Sequence, residues 1–210
     1  MKIPNIQIAK NIVEDHYQVA VSKISRFNTG LCHFVYDVKL ETGRNIVIRM
    51  SGENTLDLLK GGVYWFKKMS SKQLPVPEII HFDFDGEFPF VIMEKIAGKD
   101  LHFVYDELTG NQKKKLAKEI INIQKTVSDL PKAKGFGYAS SYEDKILTEN
   151  KSWKDVIRNS LQRSRKRISQ IGVCSIKPVE LLITGMERFN EYFSRIEPVP
   201  FLDDITTKNV

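Results

Sequence analysis

The hydrophobic and polar positions of the first hundred residues follow two different periods. Ile8, Ile12 and His16 or Tyr17 recur at helical spacing, which predicts a helix over 7–17. The pattern then alternates over 19–26, predicting a strand. Asn28-Thr29-Gly30 reads as a turn, 34–40 as a second strand, Glu41-Thr42-Gly43-Arg44 as a hairpin turn and 45–50 as a third strand. A helical stretch carrying Leu58, Tyr64, Trp65 and Met69 follows and ends before Pro75-Val76-Pro77. Two further strands, over 78–84 and 88–96, flank a turn at Asp85-Gly86-Glu87.

From Gly98 onward the period is helical. Leu116, Ile120, Ile121 and Ile123 or Gln124 predict a helix over 109–129, closed by Pro131, and 132–150 reads as loop. Ser152 with Asp155 three residues later has the form of a capping box, and behind it Trp153, Ile157, Leu161, Ser164, Ile168 and Ile171 make one stripe. Pro178 opens a last helix with Leu182, Met186, Phe189, Phe193 and Ile196 as its expected buried face. Strands first and helices afterwards predict an α+β architecture of two lobes. The expected division is a β-rich lobe over 1–97 and a helical lobe over 98–210, with a hinge near Gly98.

Composition narrows the function classes. With 41 % hydrophobic residues in a chain of 210, there is enough apolar material for a core, which excludes a wholly disordered protein. No run approaches the roughly 18 apolar residues of a membrane span, so no membrane partner is expected. Met1-Lys2-Ile3-Pro4-Asn5 lacks the apolar run of a secretory signal, and Cys32 and Cys174 make no disulfide framework; both predict a cytoplasmic protein. The net charge of +6 is local: 151–177 holds eight basic residues against Asp155 alone. That stretch reads as a solvated face, or as a surface for nucleic acid or anionic lipid. Aromatic interleaving is missing, since Trp153 falls on the apolar stripe, so no specific nucleic-acid partner is expected. His16, His33, His81 and His102 show no metal-ligand spacing.

Candidate chemistry sits at the end of the chain, in Phe201-Leu202-Asp203-Asp204-Ile205-Thr206-Thr207-Lys208-Asn209-Val210. An Asp followed five residues later by Asn is the spacing of a phosphotransferase catalytic loop. There the Asp orients the attacking hydroxyl and the Asn holds a magnesium ion on the nucleotide phosphates. Asp106 and Asn111 share that spacing, so the order of elements must decide between the pairs. The Asp204 pair follows the predicted helices and Pro198-Val199-Pro200, where such a loop belongs; the Asp106 pair precedes them.

In that order the chain resembles the aminoglycoside phosphotransferase and choline kinase-like family. The resemblance runs through Asn28-Thr29-Gly30-Leu31-Cys32-His33, Ile46-Val47-Ile48-Arg49-Met50 and Leu74-Pro75-Val76-Pro77-Glu78-Ile79-Ile80. It continues through Phe90-Val91-Ile92-Met93-Glu94-Lys95-Ile96-Ala97-Gly98-Lys99-Asp100-Leu101 and the loop ending at Asn209. It implies a bilobal protein-kinase-like fold and transfer of phosphate from ATP or GTP, with Mg²⁺, to a hydroxyl of a small-molecule acceptor. Arg49 would take the place of the phosphate-binding lysine, and the Gly30 loop, with one glycine, would lie over the phosphates. Glu94 to Ile96 would meet the adenine edge through the backbone, Asp204 would be the catalytic base and Asn209 a metal ligand. Cys32 reads as a space-filler.

The chain departs from the family pattern in three places. Where relatives carry a glutamate paired to the basic strand residue it reads Lys60-Gly61-Gly62, with Glu53 and Asp57 as distant candidates. Where the catalytic loop often begins His-Gly-Asp it reads Leu202-Asp203-Asp204. The family's second metal-binding Asp and further helices lie beyond the point where this chain stops. That predicts a fragment or truncated product with slow or no phosphate transfer and self-association through uncovered apolar surface. A catalytically incompetent nucleotide-binding module and a nucleic-acid-binding α+β protein using 154–167 are the alternatives. Aminoglycoside, choline, sugar and amino-alcohol acceptors are all compatible with the sequence.

Overall fold

The computed structural model describes residues 3–27, 32–52, 54–137, 150–203 and 205–206. Helix α1 (Ile6–Tyr17) is started by Asn5, whose side chain accepts from the Ile8 amide at 3.0 Å, satisfying a donor that the first helical turn leaves unpaired. Strands β1 (Val21–Arg26), β2 (His33–Leu40), β3 (Asn45–Ser51), β4 (Ile79–Asp83) and β5 (Phe90–Glu94) make one antiparallel sheet in the order β1-β2-β3-β5-β4. Helix α2 (Leu56–Ser71) connects β3 to β4.

The period of two in the strands sorts their side chains onto two covered faces. Ile46, Ile48 and Met50 of β3 pack with Tyr36, Val38 and Ile92 against Ala9 and Val13 of α1. The intervening positions face α2: Val47 joins Val91 and Met93 beneath Leu59 and Val63. Because β3 is covered on both sides, it reads as an apolar run rather than as an alternation. Gly43 closes the β2–β3 hairpin at φ +87°, a left-handed conformation that costs a glycine little. Strands β4 and β5 are shorter than predicted; the turn between them opens with the Asp83 carboxylate accepting from the Asp85 amide at 2.9 Å.

Two 3-10 turns (Leu101–Phe103 and Tyr105–Glu107) lead to α3 (Gly110–Ser128), which opens with a reciprocal capping box between Thr109 and Gln112. Val127 and Leu130 pack with Met69, Trp65 and Leu202. Asp106 lies in the second 3-10 turn and Asn111 in the first turn of α3, so this pair does not share one loop.

The chain divides into two compact units. One runs to Leu130 and resumes at Phe201; the other comprises 131–139 and 145–200. Positions 97 and 98 lie within the first unit, where α3 and Leu202 complete an apolar cluster with α2.

In the second unit α4 (Trp153–Ile171) starts at Ser152, whose hydroxyl accepts from the Asp155 amide at 3.1 Å, and ends at Gly172 with φ +72°. Three of its basic side chains are ion-paired: Lys154 to Glu187 at 3.0 Å, Arg158 to Asp155 at 3.5 Å and Arg165 to Glu180 at 3.2 Å. The single helix expected after Pro178 is instead α5 (Lys177–Gly185), a 3-10 segment (Met186–Phe189) and α6 (Asn190–Arg195). Gly185, a poor helix former, sits at the break. With the period broken, the expected buried face does not form: Met186 is 7 % exposed, but Leu182 is 58 % and Phe189 57 % exposed.

Candidate functional site

The α2-facing side of the sheet carries the polar side chains that an all-apolar packing face would exclude. Arg49 stands there on β3, opposite Val35 of β2 and Val91 of β5. It borders a cavity of about 10 Å³, the size of one water, beneath Leu59, Gly62, Val63 and Phe66. Its Nε is buried without a hydrogen-bond partner, and that burial holds the guanidinium below its usual pKa. Gly62 of α2 lines the same cavity, and among the described residues no carboxylate is paired with Arg49. Asp57 is exposed, and Glu53 lies outside the described residues.

His33 opens β2 on the same face, paired in register with Ser51. Its Nε2 is likewise buried and unpartnered. Burial, and after it the charge of Arg49, lower the imidazole pKa, while backbone hydrogen bonding at Thr55 acts in the opposite direction. Further along the same face, Lys95 reaches across β3 to Asp37 at 2.7 Å.

At the end of β5, the Glu94 amide donates to the Glu78 carbonyl at 2.9 Å. Ile96, two residues on, is 57 % exposed, and among the described residues its amide has no acceptor. The segment returning at Phe201 is fixed by Gln124 of α3. Its side-chain amide donates to the Leu202 carbonyl at 2.8 Å and its oxygen accepts from the Leu202 amide at 3.0 Å. Leu202 itself packs against Met69, Val127 and Leu130.

The structure thus gathers Arg49 with His33 on one sheet face and puts Glu94 and Ile96 at the end of the adjoining strand. Gly30, Asp204 and Asn209 lie outside the described residues. Among the described residues no three or more His, Cys, Asp or Glu side chains cluster as metal ligands, and no helix is long and apolar enough to cross a membrane. Sequence reading overlooked His33, Gln124 and the Asp37–Lys95 pair. Their common signal is a polar residue at a position where the strand or helix period calls for an apolar one.

No family model matches the chain, and no curated protein sequence matches it. Solved structures do. The GDP and kanamycin complex of APH(2'')-IIia matches with a TM-score of 0.66 at 14 % identity, covering 97 % of this chain and 66 % of that one. ADP-bound aminoglycoside phosphotransferase APH(2'')-Ib gives 0.59 at 13 %, covering 90 % and 60 %. A protein described as a fructosamine-3-kinase from Thermobifida fusca gives 0.57 at 12 %, covering 95 % and 71 %. This chain therefore spans between 60 % and 71 % of the length of these structures. At such low identity the likeness establishes architecture, and the chain has the kinase-like α+β fold of the aminoglycoside phosphotransferases.

Proposed function

We propose that this chain serves a small-molecule phosphotransferase that uses ATP or GTP, and that Arg49 binds the nucleotide phosphates. The observation that carries the reading is a buried guanidinium with an unsatisfied donor, on the α2-facing side of a fold whose solved members include ADP and GDP complexes. A phosphate oxygen supplies the acceptor that Nε lacks, and guanidinium geometry suits it. The carbonyl of Glu94 and the free amide of Ile96 are the groups assigned to the base edge, and the Gly30 loop is assigned to the phosphates. Asp204 is assigned the proton of the attacking hydroxyl and Asn209 a magnesium ion. When bound, the nucleotide supplies the phosphoryl group to be transferred.

Calorimetry with ADP and GDP tests this. A charge-assisted contact is worth about 1.5–3 kcal/mol, so Arg49→Ala should weaken binding about tenfold or more. Unchanged affinity in a folded variant removes Arg49 from the site. Assayed with amino-alcohol and sugar acceptors, any transfer should disappear in Asp204→Ala.

A second reading, nucleotide binding without catalysis, is favoured by one observation: Gly62 and no described carboxylate faces Arg49. It predicts binding that depends on Arg49, with no turnover for Asp204→Ala to abolish.

A further inference from the structure

Two side-chain nitrogens are buried without a partner on the α2-facing side of the sheet, the donor Nε of Arg49 and Nε2 of His33, which donates once the imidazole is protonated. They are diagonal neighbours. The register sets His33 opposite Ser51 and Arg49 opposite Val35, so both side chains rise from adjacent rungs of one face. Buried polar groups are ordinarily satisfied, and two left open side by side point to an absent ligand that accepts from Arg49 Nε and, once the imidazole is protonated, from His33 Nε2.

The surroundings narrow what that acceptor is. From β3, Arg49 is the charged group that acts on His33, and it repels a proton there. Ser51 and Thr55 contribute hydroxyls, but these are engaged with each other at 3.0 Å, and Thr55 also accepts from the Gly52 amide at 2.8 Å. On β2, the nearest carboxylate of the same face, Asp37, is held by Lys95 at 2.7 Å. Among the described residues no anion answers either nitrogen. A group with several acceptor oxygens and negative charge meets both needs, and phosphate is such a group.

We infer that His33 is a second phosphate-binding side chain of this site, acting with Arg49 on a nucleoside di- or triphosphate and taking up a proton as the nucleotide binds. The inference rests on the nucleotide-binding reading above. Its consequence is a pH dependence with a definite sign. In the free protein the imidazole is neutral near pH 7, since burial and Arg49 both disfavour its charge. Beside a bound phosphate the charged form is favoured, so acidification should strengthen binding. The nucleotide's own terminal phosphate titrates near pH 6 and works the other way. Comparison with a His33 variant cancels that contribution.

The experiment is calorimetric titration of ADP, pyrophosphate and adenosine between pH 6 and 8, in buffers of different ionisation heat. Wild type, His33→Gln and His33→Asn are compared, with circular dichroism to confirm folding. Wild type should take up a fraction of a proton on binding ADP near pH 7, and His33→Gln should not. The variant should bind ADP and pyrophosphate about tenfold more weakly at pH 6.5, with the difference shrinking toward pH 8. Any adenosine binding should be equal in both. ADP binding with the same affinity and proton uptake in wild type and both variants overturns the role of His33 and leaves the nucleotide reading standing. No binding of ADP or pyrophosphate to wild type at any pH overturns both.

Discussion

Arg49 and Gly62 face each other across a cavity hardly larger than a water, and each departs from what its element prefers. A glycine inside α2 costs roughly 0.5–1 kcal/mol relative to alanine, and a Cβ at Gly62 would meet nothing within 4 Å. Gly62→Ala should therefore raise stability by about that amount, read as a higher urea midpoint. The Asp37–Lys95 bridge is partly exposed on both sides, so Asp37→Asn should cost less than about 1 kcal/mol. His33 and His16 both have lowered pKa values, His33 from burial and then Arg49, His16 from burial and then His81 and Arg44. For such groups the unfolded chain binds protons that the native state refuses. Stability should then fall as pH drops below the ordinary histidine value, and a urea series from pH 7.5 to 5.5 should show a shallower decline in His33→Gln. These residue-level features were only partly legible in sequence. The lack of an acid in Lys60-Gly61-Gly62 could be read directly, but the placing of His33 beside Arg49 could not, because it depends on the register of β2 on β3.

Among elements, β3 carries the sheet's burial on both faces, and Ile48 is fully buried. Ile48→Ala should cost about 2–5 kcal/mol by equilibrium denaturation. The strands were legible because alternation and the Gly43 hairpin are local signals, and α1 to α4 because their apolar positions recur at helical spacing, with side-chain caps besides at α1, α3 and α4. The last helical stretch was not. Its apolar positions keep helical spacing across Gly185, and only the local geometry reveals the 3-10 segment there. The Gln124 clamp was illegible for a different reason: it joins residues 78 positions apart. Losing both bonds while keeping the volume, as in Gln124→Leu, should cost about 1–3 kcal/mol and accelerate amide exchange at Leu202.

At the scale of the molecule, and among the described residues, the second unit is an excursion: the backbone leaves the first unit after Leu130 and rejoins it at Phe201. Joining Gln124 to Leu202 in an unfolded chain would close a loop of 78 residues, an entropic cost of about 4 kcal/mol before any constant term. The second unit carries its own remedy. Lys132 and Glu197, near its entry and exit, come within 3.7 Å of each other, so once that unit folds the two strands of the crossing are already neighbours. Order of assembly follows from this: the excursion should fold first and the Leu202 segment should dock afterwards, over a loop shortened to a few residues on each side. Ser152→Ala, a cap loss worth about 1 kcal/mol in α4, should therefore slow the appearance of protection at the Leu202 amide in pulse-labelled refolding, although Ser152 belongs to the other unit.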